Sequence, residues 1–224
     1  MKKHLIPLAE FLFKHDVRRK WRVNRFIRKH NVIKLQLGCW KNIKKGWLNT
    51  DKSISGCLGG AIYMDVRKRF LLPDESVDFV YSEHLIEHLT FPGVNNMLNE
   101  CYRVMKRGGI IRIATPNLNF LVDLYMHPEK DINKRYVEWA AKKGYLPQKP
   151  VYVINRFHTA WGHQIVYDYE TLVELLKSCG FSDICRCGMN KSSNSELCDI
   201  EAHFNHMPYE FCCLETMILE AKKA

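Results

Sequence analysis

The chain predicts an α/β fold built on a doubly wound, mostly parallel sheet, and three observations carry that prediction. Short apolar segments recur with turns or a helix between them, the pattern of strands buried on both faces. The first, Leu35-Gln36-Leu37-Gly38-Cys39-Trp40, ends in a glycine, where backbone can approach a ligand that a side chain would obstruct. The next, Gly46-Trp47-Leu48-Asn49-Thr50-Asp51, ends in an acid, which in nucleotide-binding α/β proteins accepts hydrogen bonds from ribose hydroxyls. A glycine after a strand is by itself only a turn signal, so the argument needs the later segments too.

Residues 32–37, 47–51, 61–65 and 77–82 read as the first four strands. Val94, Leu98, Cys101 and Met105 then recur at helical spacing, with Lys106-Arg107 in the last turn and Gly108-Gly109 as its end. Residues 109–114 are the fifth strand, closed by Thr115-Pro116-Asn117. Only the nine residues Gly38 to Gly46 join the first two strands. A parallel crossover usually takes a dozen or more, so the first helix is shortened to about a turn or absent. Residues 118–126 and 132–143 read as helices, and 144–150 as a loop with two prolines. Arg156-Phe157-His158-Thr159-Ala160-Trp161-Gly162-His163 fits neither helix nor strand. Residues 169–178 form a clear helix, with Tyr169, Leu172, Val173 and Leu176 on one side and Gly180 just past its end. Residues 184–188 and 217–221 finish the sheet.

At 224 residues, 46% hydrophobic and 26% charged, the chain suits one domain plus an extension. The net charge of +10 is uneven: residues 1–30 hold ten Lys/Arg against Glu10 and Asp16, which leaves the remainder nearly neutral. Leu8, Phe11, Leu12, Trp21, Phe26 and Ile27 interleave with those cations, so residues 8–28 are expected to form an amphipathic helix. The organisation is therefore a basic amphipathic arm, 1–30, and a main domain, 31–224. Such an arm packs on the domain with its charges solvated, lies on an anionic membrane surface, or, as the weaker choice, contacts nucleic acid. No apolar run approaches about 18 residues, so no transmembrane segment is expected. Nine scattered cysteines without Cys-x-x-Cys spacing read as reduced thiols of a cytoplasmic protein, at most peripheral at the membrane.

With these segments in place, the chain resembles a class I S-adenosylmethionine-dependent methyltransferase of the compact branch often encoded among glycan and polysaccharide biosynthesis genes. The matching segments are Leu35 to Cys39, Gly46 to Asp51, Asp65-Val66, Leu72-Pro73-Asp74-Glu75-Ser76-Val77-Asp78, Ser82-Glu83-His84-Leu85-Ile86-Glu87-His88 and Arg103 to Gly109. Leu175-Leu176, Gly180-Phe181 and a closing strand from Glu215 to Lys222 also fit. The resemblance covers about residues 32–222 and implies a Rossmann-like sheet with a final antiparallel strand. It also implies S-adenosyl-L-methionine as cofactor. Gly38 would lie under its methionine part, with Leu37 and Cys39 also in the cofactor site; Asp51 would hold the ribose, and Asp65 and Val66 would border the adenine. Ser82 and Glu83 would face the methionine moiety and the substrate mouth. One position departs from the pattern: Trp40 stands where the family usually has a second glycine, and its ring either narrows the pocket or turns outwards.

A methyl-accepting hydroxyl must lose a proton, and a neutral imidazole takes one well near neutral pH. His84, His158 and His163 are the candidate catalytic residues. His84 leads, because it follows the fourth strand directly. His-x-x-Glu-His also matches an inverted metalloprotease motif, but in this context proteolysis is not expected. Glu83, Glu87 and His88 could gather around a divalent ion; capping and pairing beside the cofactor is the plainer account, and no metal is expected. His158 and His163, with Arg156 and Trp161, suit a sugar acceptor, whose apolar face stacks while its hydroxyls hydrogen-bond. The expectation is thus an O-methyltransferase acting on a sugar or glycan-related acceptor. The rivals are an RNA methyltransferase anchored by the arm and a non-catalytic binding subunit whose pocket Trp40 blocks. A nicotinamide dinucleotide site is disfavoured, since Gly-x-Gly-x-x-Gly is missing.

Overall fold

The structure is a computed structural model that describes residues 11–144 and 146–224. Its centre is a seven-stranded sheet of order β3-β2-β1-β4-β5-β7-β6, in which β1 is Lys34–Leu37, β2 Leu48–Asp51, β3 Ile62–Tyr63 and β4 Val77–Glu83. The remaining strands are β5 Met105–Pro116, β6 Phe181–Cys187 and β7 Thr216–Lys223. The first five pair in parallel, and β7 runs antiparallel to both β5 and β6. The expected α/β class, parallel core and antiparallel closing strand are all present. Strand order reverses between β1 and β4, so the chain ends after β1 and β4 open a crevice there, the place where open α/β sheets bind ligands.

One local reading holds in its stronger form and two need correction. No helix forms among described residues 38–47; turns carry the chain from β1 to β2, as the short connection led us to expect. The helix through Val94 and Leu98, Phe91–Val104, gives way to β5 at once, so Lys106 to Gly109 belong to the strand segment rather than to a helix end. Gly108 has φ +77°, and the β4–β5 register shifts between Val77 and Phe79, which absorbs the turn within that segment. A whole helix, Pro150–Thr159, replaces the expected loop end and the irregular 156–159 stretch. Pro150 sits at its start and Val153 and Phe157 are its buried positions, four apart; the unbroken apolar run Val151 to Ile154 hid that period.

The described part of the basic arm, residues 11–30, packs on the domain. Residues 11–15 are helical, and a second helix, α1, spans Arg18–Lys29 after a break at Asp16, whose carboxylate accepts from the Arg18 amide at 3.0 Å. Positions 8–10 of the expected helix lie outside the described residues. Val23 is buried, with Phe26 and Ile27 packed on the same core that β1 and β4 fill. Arg19 donates to the Tyr63 carbonyl and Arg22 to that of Gly60. Arg18, Lys20, Trp21, Arg25, Arg28 and Lys29 remain exposed.

A second helical layer closes over the carboxyl ends of β4 and β5. Leu118–Met126, Asp131–Gly144, Pro150–Thr159 and Tyr209–Glu215 share a smaller core around Leu121, Leu124, Tyr136 and Phe211. The irregular segment 188–208, which leads into Tyr209–Glu215, is tied down by Arg112 on β5, which is completely buried. Its Nε and Nη2 donate to the two oxygens of Glu201 at 2.6 and 3.1 Å, and its Nη1 donates to Glu220 at 2.5 Å. The carbonyls of Lys191 and Gly188 take the remaining two donors, so all five guanidinium N–H groups are matched. The Glu201 carboxylate also accepts from the Asn190 amide at 2.7 Å.

Candidate functional site

Gly38 ends β1 with φ +64°, a left-handed conformation that glycine adopts without strain. A Cβ built there would come within 2.9 Å of the Leu85 side chain, so the glycine also leaves room for close approach. Beside it lies a cavity of about 200 Å³ lined by Gly38, Met64, Asp65, Val66, His88 and Leu89, among others. Leu37 is buried and offers the site only its backbone. Cys39 is also buried, and burial, assisted by the charge of Asp51, pushes its thiol up to about 12; it remains a neutral wall residue.

Asp51 ends β2 with both oxygens already oriented. Oδ2 accepts from the Trp40 amide at 2.6 Å and Oδ1 from the Ser53 amide at 2.5 Å. That leaves lone pairs on a fixed carboxylate, the arrangement a diol needs. The amide of Trp40 therefore serves the site while its ring stays outside: the side chain has φ +42° behind it, is 54% exposed, and faces Lys41. Asp65 is held by Arg67, whose Nε and Nη2 donate to its two oxygens at 2.9 and 2.8 Å. That pairing keeps the Asp65 carboxyl below its usual range. Ser82, paired in register with Leu37, has a buried hydroxyl without a protein partner. Glu83 turns the other way. Its Oε1 accepts from the Ala202 and His203 amides at 2.9 Å each, so it clamps the segment that roofs the site.

His84 sits at φ +48° immediately after β4. Its Nδ1 lies 3.0 Å from Glu87 Oε1, while its Nε2 is buried without a partner. Glu87 is fully buried and its Oε2 accepts from the Thr115 hydroxyl at 3.1 Å. Burial opposes charge on both groups, yet their hydrogen bond and mutual attraction outweigh it: the His84 pKa is raised and the Glu87 pKa lowered. The His84 ring lies tilted by 40° against that of His203, centroids 4.0 Å apart, and His203 Nε2 lies 3.1 Å from Glu215 Oε1. Glu215 in turn accepts from the Tyr136 hydroxyl. One polar network thus runs from β5 through Glu87 and His84 to the helical layer.

His163 approaches from the loop after Pro150–Thr159. Its Nδ1 lies 2.7 Å from the Phe157 carbonyl and its ring meets that of His88 edge-on at 4.8 Å. Burial lowers its pKa, which favours neutral imidazole. The third expected histidine, His158, is exposed, and among the described residues no hydrogen bond or ring contact joins it to this cluster. Thr115, His203, Glu215 and Tyr136 had no signal in the sequence, because nothing local distinguishes a site residue contributed by a distant helix or strand end.

The geometry fits the expected cofactor: a cradle at Gly38, a preoriented acid at Asp51, an acid beside apolar Met64 and Val66, and an orphaned Ser82 hydroxyl. Comparison with known proteins agrees. Residues 55–113 match the model of a methyltransferase domain. A Mycobacterium tuberculosis protein described as a "probable S-adenosylmethionine-dependent methyltransferase" is 29% identical over 118 residues, 53% of this chain and 31% of that protein. The chain thus spans under a third of the length of the curated relatives it matches there. Among solved structures, the methyltransferase domain of the citrinin polyketide synthase superposes with a TM-score of 0.51 at 8% identity, covering 86% of this chain and 46% of that one. The CurJ carbon methyltransferase gives 0.50 at 9%, covering 86% and 48%. At such identities these two establish the fold alone. The expected fold is borne out, and residues 55–113 carry the likeness to a methyltransferase domain.

Proposed function

We propose that this chain transfers a methyl group to a hydroxyl oxygen of a sugar or glycan-related acceptor, with His84 receiving the hydroxyl proton. The observation that carries the reading is the His84–Glu87 pair: Nδ1–H donates to a buried carboxylate, and Nε2 is left as a basic nitrogen without a protein partner. Bound S-adenosyl-L-methionine supplies an electrophilic methyl on its sulfonium. Asp51 holds the ribose, Asp65 and Val66 border the adenine, and the Gly38 turn with the Ser82 hydroxyl faces the methionine part. Glu83 positions the roof through Ala202 and His203 rather than touching cofactor. Trp161, exposed and 4.9 Å under the Arg156 guanidinium, offers a sugar ring a stacking face at the loop that carries His163. Trp40 turned outward argues against the blocked, non-catalytic alternative.

Calorimetric titration with S-adenosylhomocysteine tests the cofactor half. Wild type is expected to bind, and Asp51→Ala to bind at least about tenfold more weakly with the fold intact, since ribose hydroxyls lose a charged acceptor. Wild-type affinity in that variant would remove the ribose assignment.

The exposed cations of α1 are assigned to an anionic membrane surface rather than to RNA, because exposed Trp21 stands among them and an aromatic ring of that kind partitions into a lipid interface. Lys20→Glu/Arg25→Glu/Arg28→Glu is expected to abolish sedimentation with phosphatidylserine vesicles at low salt without changing S-adenosylhomocysteine affinity. Equal sedimentation of the triple variant would assign the arm to packing alone. Among the described residues no helix is long and apolar enough to cross a membrane.

A further inference from the structure

Glu87 is a completely buried carboxylate that no lysine or arginine pairs with among the described residues. Burying a charge in this way is costly unless donors or a cation face it. Two donors are in place, His84 Nδ1 on Oε1 and the Thr115 hydroxyl on Oε2, and each oxygen keeps a further lone pair. Two further imidazoles stand close to it. One ligand atom from each of Glu87, His88 and His163 lies within 4.8 Å of the other two.

The cluster is held together before anything binds. Gln164 and Ile165 donate their amides to the Glu87 carbonyl at 2.7 and 3.3 Å, which pins the His163 loop to the turn that carries Glu87 and His88. The contact of His163 Nδ1 with the Phe157 carbonyl assigns the proton to Nδ1 and leaves the Nε2 lone pair for a ligand. Metal-binding imidazoles are oriented in this way, by a carbonyl on the other nitrogen, and metal-binding carboxylates are hydrogen-bonded as Glu87 is by Thr115 and His84.

We propose that Glu87, His88 and His163 bind a divalent transition-metal ion of the zinc and cobalt class, with one coordination position left open. Two imidazoles and one carboxylate form the donor set of open zinc sites. Bonds of about 2.0–2.2 Å need the three atoms closer than they now stand; His88, half-buried and without the carbonyl contact that fixes His163, would swing in to close the set. The site departs from the expectation of no metal, and it replaces Glu83 by His163 in the cluster that the sequence suggests. His88 also lines the cavity beside Gly38. Resting on the methyltransferase reading, the open position would hold the acceptor hydroxyl at the rim of that cavity and lower its pKa. A different candidate set, Cys185, Cys187 and Glu220, has its thiols 3.9 Å apart, but Glu220 is already paired with Arg112.

Co2+ titrated into the full chain, read by its visible ligand-field absorption, tests the assignment. Wild type is expected to saturate at about one ion per chain, His88→Ala and His163→Ala each to weaken binding at least about tenfold, and Cys185→Ser/Cys187→Ser to leave it unchanged. Thermal melting separates a lost ligand from a lost fold, and His163→Gln replaces the alanine variant if that one melts early. Absence of a saturable Co2+ signal in wild type overturns the proposal. So does a signal that the cysteine variant loses and both histidine variants keep. S-adenosylhomocysteine titration of the same wild-type sample in chelator reports on the cofactor reading separately: its failure beside normal Co2+ binding would sink the transferase role and leave the metal site standing.

Discussion

Arg112→Ala is expected to destabilise the fold by about 3–5 kcal/mol, the cost of leaving a buried charge uncompensated. The guanidinium is buried on β5 between Glu201 and Glu220, and it is the group that makes both carboxylates tolerable there. Its own pKa is raised, since the two glutamates overcome the burial that opposes its charge. Alanine would also free the carbonyls of Lys191 and Gly188, loosening the segment that Glu83 and Glu201 fasten over the site. Urea denaturation should show the loss as a lower midpoint. Arg112→Met/Glu201→Gln/Glu220→Gln should recover much of it, because the uncompensated charges rather than the missing contact dominate the penalty. If Arg112→Ala melts with wild type, the triad is not what holds this segment.

The second large effect is on turnover. His84→Ala is expected to lower kcat by about a hundredfold or more and to leave S-adenosylhomocysteine affinity nearly unchanged, as removal of a general base should. The base must be neutral to act, and the carboxylates around His84, Glu87 foremost, raise its pKa against the opposing effect of burial. The ascending limb of kcat against pH should therefore lie above the ordinary imidazole value of about 6.5. Glu87→Gln should shift that limb downward, because the stabilising charge is gone while a hydrogen-bonding group remains. Full turnover in His84→Ala would transfer the role to His163, whose burial-lowered pKa predicts a limb below the ordinary value instead. A purely structural His84 would change the melting temperature and leave the pH profile where it was.

Much of the fold could be read directly. The β1 glycine, the acid ending β2, the run into β4 and the helix at Tyr169–Ser178 all stand where period and turn chemistry put them. The helix at Pro150–Thr159 escaped because its buried positions are few: Val153 sits in an unbroken apolar run, Val151 to Ile154, and Phe157 among polar residues, so no helical period shows. Of the proposed site, Gly38, Asp65 and Val66 line the cavity beside β1, and Asp51 and Ser82 stand at the carboxyl ends of β2 and β4. Glu83 is adjacent to them in sequence but serves the roof, since the turn at His84 and the amides of Ala202 and His203 draw its carboxylate aside.

What the sequence determined by itself is the set of interactions between near neighbours: alternation in the strands, the connection too short for a helix between β1 and β2, the φ that Gly38 permits, and the uneven charge of residues 1–30. These depend on backbone preference and local burial, which a few residues suffice to specify. Tertiary structure alone decided which polar groups meet. Arg112 with Glu201 and Glu220, His84 with His203, Glu87 with Thr115, and His163 with His88 each join segments whose separation in the chain carries no periodic trace. The docking of α1 was settled in the same way, by Val23 finding the sheet's core while its neighbouring cations found carbonyls or water. A buried charge needs a partner at about 3 Å, and only the folded chain determines which residue is that close.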